Sequence, residues 1–181
     1  MARARIVKQR KMAALRLVHR SGETIMKARE IMTSGPLAVT QREAVWRAAE
    51  IMRDVDVGIL PVIDDPQSMR LLGVITDRDI AVRCVAKQHG TSCTVGDHMT
   101  TGNLDTVRPD DDVDSVIALM ERDQVRRIPV VSEDNRLVGV IAQADLATKL
   151  GPRNPQKIEE VLERVSARHK SGPTSGSPPV S

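Results

Sequence analysis

One segment of this chain occurs twice, and the duplication restricts its possible folds more than any other feature. Gly73-Val74-Ile75-Thr76-Asp77-Arg78-Asp79 returns sixty-six residues later as Gly139-Val140-Ile141-Ala142-Gln143-Ala144-Asp145. In each copy a short β-branched run after a glycine passes directly into a helical pattern, with an aspartate one turn inside: a strand entering a helix. Such a junction suits a sugar. The helix start offers unpaired N–H groups and partial positive charge, Thr76 adds a hydroxyl, and Asp79 supplies two acceptor oxygens for a vicinal diol. The same spacing is also that of a capping box, in which Thr76 and Asp79 satisfy each other's backbone N–H.

The duplication extends on both sides of the motif. Ile31-Met32-Thr33 matches His98-Met99-Thr100, each ahead of a short strand over residues 37–40 and 104–107. Amphipathic helices follow. Ala44, Val45, Ala48, Ala49, Ile51 and Met52 fall on one face in the first copy, and Val113, Val116, Ile117 and Met120 do so in the second. Next come strands over residues 58–63 and 126–131, each containing Pro-Val. Proline removes a ladder donor, which predicts a sheet edge or an interruption there. Turns at 64–68 and 133–135, strands at 71–75 and 137–141, and helices from Asp77 and Gln143 complete a β-α-β-β-α unit in each copy. A unit of about 60 residues is marginal alone. Two units packed sheet to sheet about a pseudo-twofold axis would share a core and leave two equivalent clefts, which is where ligands tend to bind.

Composition removes several function classes. Of the 181 residues 40% are apolar, yet Trp46 is the single Phe, Trp or Tyr. Single-stranded nucleic acid is commonly held on aromatic platforms, which this chain cannot build, so nucleic acid is not an expected partner. The net charge of +3 is unevenly placed. Arg3, Arg5, Lys8, Arg10, Lys11, Arg16 and Arg20 form an arm with no acid before Glu23, and beyond residue 25 there are 20 basic and 23 acidic residues. Residues 1–25 are read as a basic arm, open as a mobile tail for anionic partners, a targeting segment, or an extension upstream of a natural start at Met26. No signal-peptide core and no run of about eighteen apolar residues occurs, so the expectation is a cytoplasmic protein without a membrane span.

Cys84 and Cys93 are expected as reduced thiols. They alternate with His89 and His98 in a Cys-x4-His-x3-Cys-x4-His pattern across the connector at residues 89–96. No pair has the tight spacing of common structural zinc sites, so a metal- or redox-responsive scaffold using these four residues is kept as an alternative. A third reading is a protein-interaction adaptor without ligand. No histidine neighbours a plausible nucleophile outside this connector, and the acids Asp110, Asp111 and Asp112 begin a helix, where negative charge is favourable anyway; an enzyme is not expected. After the second unit, Gly151-Pro152 ends its closing helix. Ile158, Val161, Leu162 and Val165 then line one face of a further helix within residues 151–170, and the Gly/Pro/Ser/Thr-rich stretch 171–181 is expected to be disordered.

The order of elements, the paired Pro-Val strands and the Gly-h-h-Thr-x-x-Asp junction together resemble the cystathionine-β-synthase (CBS) domain. Two in tandem, over residues 26–88 and 97–150, resemble a Bateman module of the stand-alone bacterial type. The resemblance implies an α+β fold and regulatory binding of an adenosyl nucleotide such as AMP, ADP or ATP without chemistry. It also implies a homodimer that signals through an unknown protein target. Carried across by position, Thr76 and Asp79 would hold ribose, Leu104, Asp105, Thr106 and Val107 would flank adenine, and Arg126 and Arg127 would reach phosphate. The counterpart cleft, with Asp145, Leu37 and Val39, has Ala142 in place of the threonine and Gly58 and Ile59 in place of the arginines. It is therefore expected to be the weaker of the two.

Overall fold

The computed structural model describes residues 26–89, 92–102, 104–152, 159 and 163–165. The basic arm and the tail at 171–181 lie outside these residues, as does most of the stretch at 153–170.

In chain order the elements are α1 (Ala28–Ile31), β1 (Thr33–Ser34), β2 (Val39–Thr40), α2 (Val45–Asp54), β3 (Ile59–Ile63), β4 (Leu71–Thr76) and α3 (Asp77–Asp79), which runs on as a π-helical stretch, π1 (Ile80–Val85). Then follow α4 (Val95–His98), α5 (Val113–Asp123), β5 (Arg127–Val131), β6 (Leu137–Ala142) and α6 (Gln143–Leu150). The apolar stripes behave as their spacing requires. Val45, Ala48 and Met52 of α2 are buried, and so are Val113, Val116, Ile117 and Met120 of α5.

Two three-stranded sheets form, in the orders β2-β3-β4 and β1-β6-β5. The second order reveals an exchange. Strand β1 belongs to the first repeat in sequence but pairs antiparallel with β6 of the second, Thr33 opposite Val140 and Ser34 opposite Gly139. The second repeat reciprocates, with Val74 donating to the Thr100 carbonyl at 3.0 Å and Thr100 donating to the Val74 carbonyl at 2.8 Å. The leading helices cross with them. Ala28 and Ile31 are fully buried in the second repeat's core beside Val116, Met120, Ile128 and Leu146. Val95 packs in the first repeat's core with Val39, Ala48, Leu60 and Ile75. Burying an isoleucine contributes about 1.5–3 kcal/mol, so each exchanged segment is anchored by apolar contact as well as by its ladder.

The two β-hairpins meet at their tips. Leu71 N donates to the Asn135 carbonyl at 3.0 Å, and Leu137 N donates to the Met69 carbonyl at 2.7 Å. Below this junction Ile63, Leu71, Val131 and Leu137 form an apolar cluster common to both sheets. The glycine of each repeated motif lies where the exchanged chain crosses. A Cβ on Gly73 would sit 2.5 Å from the Thr100 carbonyl oxygen, and one on Gly139 would sit 2.7 Å from Met32 Sδ.

Of the two outcomes expected at the prolines, β5 lies at the edge of its sheet, whereas β3 is the central strand of its own and shows the interruption instead. Pairing with β2 begins only at Val62, one residue after Pro61, and the register shifts at Val62/Ile63. In the second repeat Val107 donates to the Pro129 carbonyl and Val131 donates to Val107. The side of Pro129 that lacks an N–H therefore faces a neighbour whose pairing is only starting. A central strand tolerates proline because no ladder acceptor is left waiting there. The predicted strand at 104–107 contracts to a single parallel bridge, Val107 to Val130. Residues 163–165 are helical, and Val165 is buried in the second core.

Candidate functional site

The Thr76 junction forms the capping box. Asp79 N donates to Thr76 Oγ1 at 3.0 Å, while Thr76 N and Thr76 Oγ1 donate to Asp79 Oδ2 at 3.1 and 2.8 Å. The other carboxylate oxygen, Oδ1, lies 3.2 Å from Arg83 Nη2. Arg83 reaches further, donating to the His98 carbonyl at 2.9 Å and to Thr100 Oγ1 at 3.1 Å. Both oxygens of Asp79 are thus engaged from within the chain, and its side chain is only 13% exposed.

The Asp145 junction repeats this plan with looser contacts. Ala142 N donates to Asp145 Oδ2 at 2.7 Å, but Asp145 Oδ1 is 4.0 Å from Lys149 Nζ, beyond hydrogen-bonding reach. Lys149 instead donates to the Ile31 carbonyl at 2.7 Å, the counterpart of the Arg83 bond to His98. Beside Asp145 lies an open cavity of about 380 Å³, walled by both repeats. Pro36, Leu37 and Ile59 supply apolar surface, and Arg127 enters from β5. Among the described residues, the side chain of the half-buried Arg127 makes no hydrogen bond or ion pair, while its backbone pairs with Ala142 in the β5–β6 ladder. The volume lies within the usual range of small-ligand pockets, and one carboxylate plus one cation among apolar walls is their usual composition.

Other expected residues fall elsewhere. Val39 and Val107 are buried in the two cores and offer nothing to a ligand, because alternate strand residues face opposite sides and these two face inward. Leu104 packs on the shared apolar cluster, and Asp105 accepts from Arg122 at 3.0 Å. Thr106 is half-buried, and Arg126 is exposed. Arg127 lines the cavity containing Asp145, the cleft expected to lack arginine. Sequence reasoning did not identify Arg83, Lys149 or Pro36, and it placed Ile59 in this cleft only as the replacement of an arginine. The signal for the first two was available, since each follows its motif aspartate by four residues, one helical turn.

The connector brings three of its four candidate ligands together: donor atoms of Cys84, Cys93 and His98 all lie within 4.8 Å of one another. Burial and the neighbouring Cys84 push the Cys93 thiol above its usual pKa. Asp97, next to His98, is held below the ordinary carboxylate range, chiefly by the Thr94 backbone N–H and hydroxyl.

Comparison with known proteins agrees with this architecture. The CBS domain family model matches residues 28–85 and again 95–151. Hypoxic response protein 1 of Mycobacterium tuberculosis is 36% identical over 123 residues, 68% of this chain and 84% of that protein. A crystal structure of Hypoxic Response Protein I with two coordinated zinc ions superposes with a TM-score of 0.61, covering 68% of this chain and 98% of that one. The CBS domain pair of protein MJ0100, in complex with 5′-methylthioadenosine and S-adenosyl-L-methionine, is 27% identical, with a TM-score of 0.62 over 72% of this chain and all of that one. CBSX2 in complex with AMP is 26% identical, with a TM-score of 0.61 over 70% of this chain and 97% of that one. Two family matches in tandem, on the two halves of one exchanged fold, establish that this chain belongs to the CBS-domain family as a CBS pair.

Proposed function

We propose that this chain is a regulatory module that binds an adenosyl nucleotide between its two repeats and signals by a change of conformation or assembly, without catalysis. The observation that carries this reading is the cavity that unites Asp145 with the unpartnered side chain of Arg127. Asp145 Oδ1 accepts the ribose hydroxyls, the base lies against Leu37 and Ile59, and Arg127 pairs with phosphate through its planar fork. Two related structures contain adenosyl ligands, which supports this class of ligand over others of similar size.

This assignment reverses the order of clefts expected from residue type. A nucleotide at Thr76 and Asp79 would have to displace Arg83 from Asp79 Oδ1, which sets its affinity below that of the Asp145 cavity. A ligand spanning both repeats shifts the conformers offered to a partner only as far as it binds them unequally.

The module acts in the cytoplasm as a homodimer. Support for self-association comes from large apolar side chains left more than half exposed on α2 and π1, Trp46, Val82 and Val85, the last of which lines a groove with Ala49 and Ala81. Thermal unfolding with AMP, ADP, ATP and S-adenosylmethionine tests the ligand. At a hundredfold excess over its dissociation constant, a ligand specific to the folded state adds about 2.7 kcal/mol. No shift with any adenosyl compound would overturn the reading.

A further inference from the structure

The Cys and His residues of the connector take no part in the nucleotide cleft, and their placement carries a separate conclusion. Cys84 lies in π1 and is 6% exposed, Cys93 lies just before α4, and His98 ends α4 at 4% exposure. His98 Nε2 is buried and has no hydrogen-bond partner among the described residues. A buried imidazole nitrogen facing nothing loses its hydration without return. The ring of His89 lies 5.4 Å from that of His98, centre to centre, on the solvent side.

We propose that Cys84, Cys93, His98 and His89 form a structural zinc site that pins the closing helix of the first repeat to α4. Two thiolates and two imidazoles are the tetrahedral donor set that zinc favours, and they discriminate against the hard cations magnesium and calcium. In a closed tetrahedral site, donor atoms stand roughly 3.5–4 Å apart given the usual zinc–ligand lengths. The observed spread of 4.8 Å needs only a small contraction. His89 supplies the fourth ligand by a side-chain rotation, since its backbone is already tied to Cys84 through a 3.1 Å bond from His89 N to the Cys84 carbonyl.

The π-helical geometry serves the same end. Bonds from Ala86 N to Ala81 O and from His89 N to Cys84 O span five residues rather than four, which leaves Cys84 turned inward and His89 beyond the helix end. A disulfide between Cys84 and Cys93 is the competing arrangement, and it would leave His98 Nε2 unsatisfied. A bound ion satisfies it. The ion also fixes the His98 backbone, whose carbonyl anchors Arg83.

The test uses the full chain, free of any polyhistidine tag, produced in zinc-containing medium, desalted and assayed by elemental analysis. The expected content is about one zinc per chain, and cobalt exchange should give a thiolate-to-metal charge-transfer band. Cys93 is only half-buried, so Cys93→Ser is expected to fold, as judged by an unchanged far-ultraviolet dichroism spectrum, and to lose zinc by at least about tenfold. His89→Gln should weaken zinc affinity by about tenfold or more. Wild-type protein without zinc after incubation with excess metal, a Cys93→Ser protein with undiminished zinc, or a Cys84–Cys93 disulfide in freshly purified protein would each overturn the site. Unchanged zinc affinity in His89→Gln would overturn the assignment of the fourth ligand. None of these readings depends on nucleotide binding.

Discussion

Arg83 holds Asp79 across 3.2 Å and one helical turn, and the same side chain closes on the carbonyl of His98 from the other end of the connector. One guanidinium thus joins the motif aspartate of the first repeat to the helix that leads into the second. Arg83→Ala should lower stability in urea unfolding by about 1–2 kcal/mol, because charge-assisted bonds to partly exposed groups are worth that much. Lys149→Ala, whose ion pair stands at 4.0 Å, should cost less. A larger loss from Lys149→Ala would contradict the asymmetry of the two junctions.

The exchanged strands predict glycine dependence. Gly73→Ala and Gly139→Ala each force a methyl against the crossing chain, and overpacking of this kind costs about 1–3 kcal/mol. Gly73 should suffer more, since its obstruction is the Thr100 backbone, whereas Gly139 first meets the flexible end of Met32. Gly58→Ala provides the mild comparison, its nearest atom being a side-chain oxygen of Asp77 at 3.1 Å. Equal unfolding midpoints for all three variants would refute the crossing geometry.

Acid should weaken the first hairpin turn. The Ser68 hydroxyl, followed by backbone N–H groups of Asp65 and Arg70 and the Arg70 charge, holds Asp64 at a pKa of about 2. A depressed carboxylate stabilises the fold above its unfolded pKa of about 3.9. That contribution is therefore lost as pH falls from about 4 toward 2. Carbon-detected titration of Asp64 should move toward the ordinary value in Ser68→Ala, and an unmoved Asp64 would show that the hydroxyl is not the cause.

Phosphate recognition is assigned to one side chain. Arg127→Ala should weaken binding of AMP or ATP by about tenfold to a hundredfold, as expected for loss of one charge-assisted contact, and leave adenosine affinity unchanged. An equal loss for adenosine would mean that Arg127 shapes the cavity rather than holding phosphate.

The duplicated pattern was enough to identify the hairpin strands β3 to β6, the closing helices and the apolar faces of α2 and α5, because periodicity reports burial directly, but α1, α4 and β1 are too short to carry a periodic signal. It did not show which repeat each leading segment joins. Ala28 and Ile31 ahead of the first repeat and Val95 ahead of the second are short apolar signals that fit either core, and only the assembled sheets distinguish them. The motif aspartates were equally legible, but their availability was not. It depends on Arg83 and Lys149, whose reach of 3.2 against 4.0 Å is set by tertiary geometry rather than residue type. Arg127 shows a related limit, since the cleft that a strand residue faces depends on how the sheets meet.

Calorimetric titration of AMP and ATP into wild-type, Asp79→Ala and Asp145→Ala proteins tests the central assignment most directly. The account predicts that wild type and Asp79→Ala bind about one nucleotide per chain with similar affinity, while Asp145→Ala loses at least about tenfold, the worth of one charged hydrogen bond. Undiminished binding by Asp145→Ala, with loss in Asp79→Ala instead, would contradict it.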